Sequence, residues 1–86
     1  MRYKISRHAR EEMERRNIST EIVESVLRQP EQIIDAPEAK KVYQSRIESQ
    51  EGKTSLVRVF VAEGGDIPVV IPVYRTSRIE KYWRKV

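Results

Sequence analysis

The apolar period of this chain changes at Pro30, and that change limits the fold more than any other feature. Upstream, apolar residues recur at helical spacing. Ala9 and Met13 stand four apart, and Ile22, Val23, Val26 and Leu27 form an i, i+1, i+4, i+5 stripe, the pattern of a face turned to a core. Downstream, Val57, Val59 and Val61 alternate with Leu56, Arg58, Phe60 and Ala62, and a period of two belongs to a strand. Helices first and strands after describe an α+β chain, with a helical pair on one face of a sheet. At 86 residues the chain is expected to form one domain, because a second core would be too small to hold.

Local signals set the boundaries. Ser6 is a good N-cap for a helix over residues 7–16, and Asn17 tolerates the left-handed turn that ends it. Ser19 and Thr20 are capable caps for a second helix over 20–29, which Pro30 stops. Ile33 and Ile34 start a strand that ends at Pro37. Residues 40–49, 54–63 and 67–76 read as strands, with turns at 50–53 and at Gly64-Gly65-Asp66. Pro72 has no amide proton to give a ladder, so it belongs on an edge or at a bulge. Residues 77–86 form a basic, aromatic tail or short helix. The expected architecture is two N-terminal helices packed on a three- to four-stranded antiparallel sheet.

Composition removes several classes of function. There is no cysteine, so there is neither a disulfide framework nor a thiolate zinc site. A single histidine cannot build a multi-histidine metal site, and no metal or cofactor is expected. The longest apolar run, residues 69–73, is far short of the roughly 20 residues a spanning helix needs. The N-terminus turns charged at once and lacks the apolar core of a signal peptide. A soluble cytoplasmic protein without membrane contact is the expectation. Charge is uneven: residues 1–16 carry a net of +3, residues 17–73 a net of −3 and residues 74–86 a net of +4. Basic ends that meet in space would make one cationic patch, the electrostatic mark of a nucleic-acid partner such as RNA.

Few residues have chemistry to offer. His8 stands in the first helical turn, with Glu12 one turn below as an orienting carboxylate. It is either a capping or surface histidine, or a group that exchanges a proton near neutral pH. Arg58 lies among valines in a strand, where an unpaired guanidinium is costly. It is either a solvent-facing arginine or a phosphate clamp built on its planar fork of donors. Arg46 follows the same logic in a more polar strand. Tyr74, Thr76, Tyr82 and Trp83 are interleaved with Arg75, Arg78, Lys81, Arg84 and Lys85. Aromatic rings stack bases and cations hold phosphates, although Tyr82 and Trp83 would equally serve to pack the tail on the sheet. The second helix carries Glu21 and Glu24 against one Arg28, which suits a DNA groove poorly.

Ser6-x-His8-Ala9-x-x-x-Met13-x-x-Arg16-x-Ile18-Ser19, then Val23…Val26-Leu27…Pro30, Leu56-Val57-Arg58-Val59 and Val73-Tyr74-Arg75-Thr76-Ser77-x-Ile79-x-Lys81-Tyr82-Trp83 resemble a family of small prokaryotic domains of unknown function. That family is similar to the barnase, EndoU, colicin and RelE group of metal-independent ribonuclease folds, which includes toxins. The resemblance implies a RelE-like or barnase-like fold. It also implies an endoribonuclease in which the ribose 2′-hydroxyl attacks the neighbouring phosphate. His8 would be its base or acid, Arg16 and Arg58 its charge stabilisers and Tyr74 its donor at the leaving oxygen. Arg46, Arg75, Thr76, Arg78, Lys81, Trp83 and Arg84 would hold the RNA. An antitoxin or immunity protein would be the partner of such a toxin, and the chain would be a monomer or a homodimer. A non-catalytic RNA-binding module and a protein-interaction domain with Leu56, Phe60 and Tyr74 as its interface are the alternatives. The sequence departs from the family pattern at Glu12, Asn17 and Pro72.

Overall fold

The computed structural model describes residues 2–85; Met1 and Val86, which fall within the basic ends, lie outside the described residues. Eight elements follow in order: β1 (Lys4–Ile5), α1 (Arg7–Arg15), α2 (Thr20–Arg28), β2 (Gln32–Ala36), β3 (Lys40–Glu48), β4 (Thr54–Ala62), β5 (Val69–Thr76) and α3 (Ile79–Tyr82). The helices begin where the caps place them. Ser6 Oγ accepts the amide of Ala9 at 3.0 Å, and Ser19 Oγ accepts that of Ile22 at 3.2 Å. Asn17 takes a φ of 54° and turns the chain out of α1.

The fold is α+β, with five strands in the order β1-β5-β4-β3-β2. This corrects the expectation of three to four antiparallel strands. Lys4 and Ile5 pair parallel with Val69 and Val70, so the N-terminal segment becomes an edge strand and the sheet is mixed. Tyr3, Lys4 and Ile5 read from sequence as a short extended entry, but two residues of strand carry no periodicity that would announce their pairing with β5. The other three pairings are antiparallel.

Strand alternation divides the sheet into two unlike faces. On the helix side, Val57, Val59, Val61, Val70 and Val73 join Ala9, Met13, Ile18, Val23, Val26 and Leu27 in one buried cluster. Burial of these side chains is the main force holding α1 and α2 to the sheet. On the tail side lie Gln32 and Ile34 of β2, Val42, Gln44 and Arg46 of β3, Leu56, Arg58 and Phe60 of β4, and Tyr74 and Thr76 of β5. Pro72 sits where the β4–β5 register shifts: Val59 pairs with Val73 but Val61 with Val70. The strand has one residue too many there, and a bulge absorbs the proline that a ladder could not use. The bulge also puts Val70 and Val73 on the same side, where strict alternation would part them. Among the described residues, no helix is long and apolar enough to cross a membrane.

Candidate nucleic-acid interface

The tail side is built around Arg58. Its register partners are Gln44 on β3 and Tyr74 on β5, so three polar side chains stand in a row across the central strands. Arg58 Nε donates to Gln44 Oε1 at 2.8 Å, and Arg58 Nη1 donates to the Tyr74 hydroxyl at 2.6 Å. The chain after β5 then folds back over this row. The Tyr82 ring lies 4.5 Å from the Arg58 guanidinium carbon, and Phe60 and Tyr74 lie at 5.2 and 5.7 Å. Phe60 stacks on Tyr74, and Tyr74 meets Tyr82 edge-on.

Glutamine amides fasten this roof. Gln44 is 0% exposed, and its Nε2 donates to Gln32 Oε1 at 2.7 Å and to the Tyr82 carbonyl at 3.2 Å. Gln32 in turn donates to the Arg84 carbonyl at 2.7 Å and accepts the Arg84 amide at 3.0 Å. Arg46 is committed to Glu31 through Nε at 3.1 Å and Nη2 at 2.9 Å, and its guanidinium lies 4.3 Å from the Trp83 ring. The hydrogen bonds from Arg46 hold the Glu31 carboxyl below its ordinary range.

The cost of placing Arg58 in a strand interior is thus met by two hydrogen bonds and three rings. Among the described residues no buried side-chain nitrogen or oxygen lacks a partner. Among the described residues Arg58 Nη2 has no hydrogen-bond partner. Neither Gln44 nor Gln32 was a sequence candidate. The signal that finds Gln44 is register, because it is the residue paired with Arg58 on the neighbouring strand.

The candidates fall into two groups on opposite faces. Arg58, Tyr74, Thr76, Arg46 and Trp83 gather on the tail side, with Arg78, Lys81 and Arg84 exposed around them. His8 and Arg16 belong to the helix layer. His8 is exposed, with Nε2 3.9 Å from Glu12 Oε1. Glu12 accepts from Arg15 and, at 2.9 Å, from Arg16 Nε. The Arg16 hydrogen bond, helped by the charges of Arg15 and His8, keeps the Glu12 carboxyl low. Glu12 therefore serves the arginines more than it orients the imidazole. A four-residue constellation of His8, Arg16, Arg58 and Tyr74 is not assembled: the first two ride on α1 and the last two point away from it. Arg75 also departs from the group. It leaves β5 on the helix side and donates from Nη2 to the Arg16 carbonyl at 2.8 Å. Leu56, expected as part of an exposed apolar interface, is 0% exposed, while Phe60 and Tyr74 are half-buried.

The family model described as Domain of unknown function (DUF4258) matches residues 5–76. That span is most of the chain, and the chain belongs to this family. Comparisons with curated proteins and with solved structures give no significant match.

Proposed function

We propose that this member of the DUF4258 family binds single-stranded RNA on the tail side of its sheet. One observation carries the reading: Arg58 is held on two edges by Gln44 and Tyr74, is flanked by aromatic rings, and among the described residues has no partner for Nη2. A guanidinium already fixed loses little freedom when it meets a phosphate oxygen. The exposed Arg78, Lys81 and Arg84 surround it with charge that releases counterions on binding. Half-buried Tyr82 and Trp83 add ring surface for bases.

The test is titration of a labelled oligoribonucleotide at several salt concentrations. Log affinity should fall linearly with log salt. Arg58→Gln should weaken binding by about tenfold, as loss of a hydrogen bond to a charged group does. His8→Ala should bind like the parent. A folded Arg58→Gln protein with parental affinity would remove the assignment.

A second reading adds cleavage at the same place. It is favoured by the 2.6 Å contact that sets the Tyr74 hydroxyl beside the Arg58 guanidinium. The guanidinium would balance charge on the phosphorane, and the phenol would give its proton to the departing 5′ oxygen. The base that takes the 2′-hydroxyl proton would then be a group other than His8. The likeness to the RelE and barnase fold group, and an antitoxin or immunity protein as partner, belong to this reading. Within the observed order, the part that supports it is α1 and α2 followed by the four antiparallel strands β2 to β5. Digestion of RNA in excess chelator by parent but not by Tyr74→Phe would establish it; intact RNA leaves binding alone.

A further inference from the structure

The RNA reading leaves Arg75 unused, although Arg75-Thr76-Ser77 is among the more distinctive stretches of the sequence. Arg75 lines a cavity of about 720 Å³ at the end of the sheet, where the α1–α2 turn, the β3–β4 turn and the end of β5 meet. A cavity of that size takes a small-molecule or nucleotide-sized group. Its walls are polar. Five of the lining residues carry hydroxyls, Thr54, Ser55, Thr76 and Ser77 among them, and Asn17 adds an amide.

Charge in the cavity is positive and uncommitted. Among the described residues, neither Lys53 nor Arg75 is within ion-pair distance of a carboxylate. Arg75 is steered by one bond, from Nη2 to the Arg16 carbonyl, which leaves its other donors available. Lys53 is presented by a fixed turn. Its amide donates to Ser49 Oγ at 3.2 Å, its carbonyl accepts the Ser49 amide at 2.8 Å, and Gly52 takes the φ of 82° that the turn requires. Glu51 is the one acidic lining residue, so the lining carries a net charge of +1 from Lys53, Arg75 and Glu51. That balance favours an anionic ligand.

We infer that this cleft binds the phosphate of a nucleotide, with Lys53 and Arg75 as its cations and hydroxyl donors around it. The site is distinct from Arg58 and does not depend on the reading given above.

Amide NMR titration of the intact protein with the dinucleoside monophosphate UpU tests it, with uridine and 5′-UMP as controls. UpU should shift the amides of residues 53–55 and 75–77 and saturate, while uridine leaves them still. UMP, a dianion, should bind at least as tightly as UpU, because attraction to the two cations grows with ligand charge. Lys53→Gln should weaken UpU by about tenfold, the loss expected for a charge-assisted contact. Glu51→Gln should tighten it. Arg58→Gln should leave these shifts unchanged, so failure here and failure of the tail-side reading are told apart. Shifts spread over every basic surface without saturation would overturn the inference. So would equal response to UpU and uridine, or a Lys53→Gln protein that binds as the parent does.

Discussion

Gln44→Leu isolates the polar network from its volume. The side chain is 0% exposed and similar in size to leucine, so the substitution leaves little cavity. It deletes three hydrogen bonds: from Arg58 Nε, to Gln32 Oε1 and to the Tyr82 carbonyl. The first involves a charge and is worth about 1.5–3 kcal/mol, and the neutral pair about 0.5–1.5 kcal/mol each. Part returns through water reaching the half-buried Arg58 and through the apolar gain of leucine, so about 3 kcal/mol should be lost. For a domain of this size that lowers the melting midpoint by roughly 12–24 °C. Urea unfolding followed by circular dichroism measures it. Arg58→Met alone and the double variant complete a cycle, in which the two losses should add to clearly more than the double variant shows. A Gln44→Leu protein within about 0.5 kcal/mol of the parent would refute the claim that this amide holds the roof, since ordinary surface changes are that small.

Three further outcomes follow from the same contacts. Ser6→Ala removes both the cap on Ala9 and the bond to the Ile71 carbonyl at 3.2 Å; urea unfolding should show a loss of about 1–2 kcal/mol. Val59→Ala, at the centre of the helix-side cluster and 0% exposed, should cost about 2 kcal/mol by the same assay, through lost burial and the void left behind. Glu31 has a folded pKa below its ordinary 4.5 because Arg46 hydrogen-bonds the carboxylate. Its contribution to stability is therefore present above that value and lost as pH falls toward the lower folded one. The difference in melting midpoint between parent and Glu31→Gln should be larger at pH 7 than at about pH 3, and a constant difference would contradict the pairing.

Periodicity exposed most of the fold and little of the site. The valine alternation in β4 and the stripe in α2 identify a helix-side core, and both are found there. Register is another matter, because it depends on turn lengths that composition does not fix. A four-residue turn at 50–53 would pair Arg58 with Ser45. The observed connection spans Ser49 to Lys53, closed by a bond between their backbones at 2.8 Å, and pairs Arg58 with Gln44 instead. A tight turn at Gly64-Gly65-Asp66 would likewise set Arg58 against Pro72. The longer connection and the bulge bring Tyr74 there. Both partners of Arg58 were thus beyond the reach of the pattern, whereas packing of Tyr82 on the sheet is one of the two roles the sequence allows it.

The uneven charge of the sequence acquires a physical meaning from the same parity. Most of the N-terminal cations ride on α1 or cap it and most of the C-terminal ones lie on or beside α3, and these two groups lie on opposite sides of the sheet. A sheet between two groups of side chains keeps them from one phosphate, so a basic beginning and a basic end do not add up to one catalytic site. They do touch at one point. Arg75 leaves β5 toward the helices and bonds to the last turn of α1 at the Arg16 carbonyl, while its neighbours Tyr74 and Thr76 face the tail side. Alternation along three consecutive residues therefore links both faces at the end of the sheet, beside Lys53. A polyanion long enough to run from Arg58 toward that end would meet both surfaces in succession. Its affinity should then exceed that of a fragment confined to either, because the second contact is made within one complex. Simultaneous substitution of Arg58 and Lys53 should weaken a long oligoribonucleotide by more than either change alone. A double variant no weaker than Arg58→Gln would mean that the two surfaces act on separate ligands.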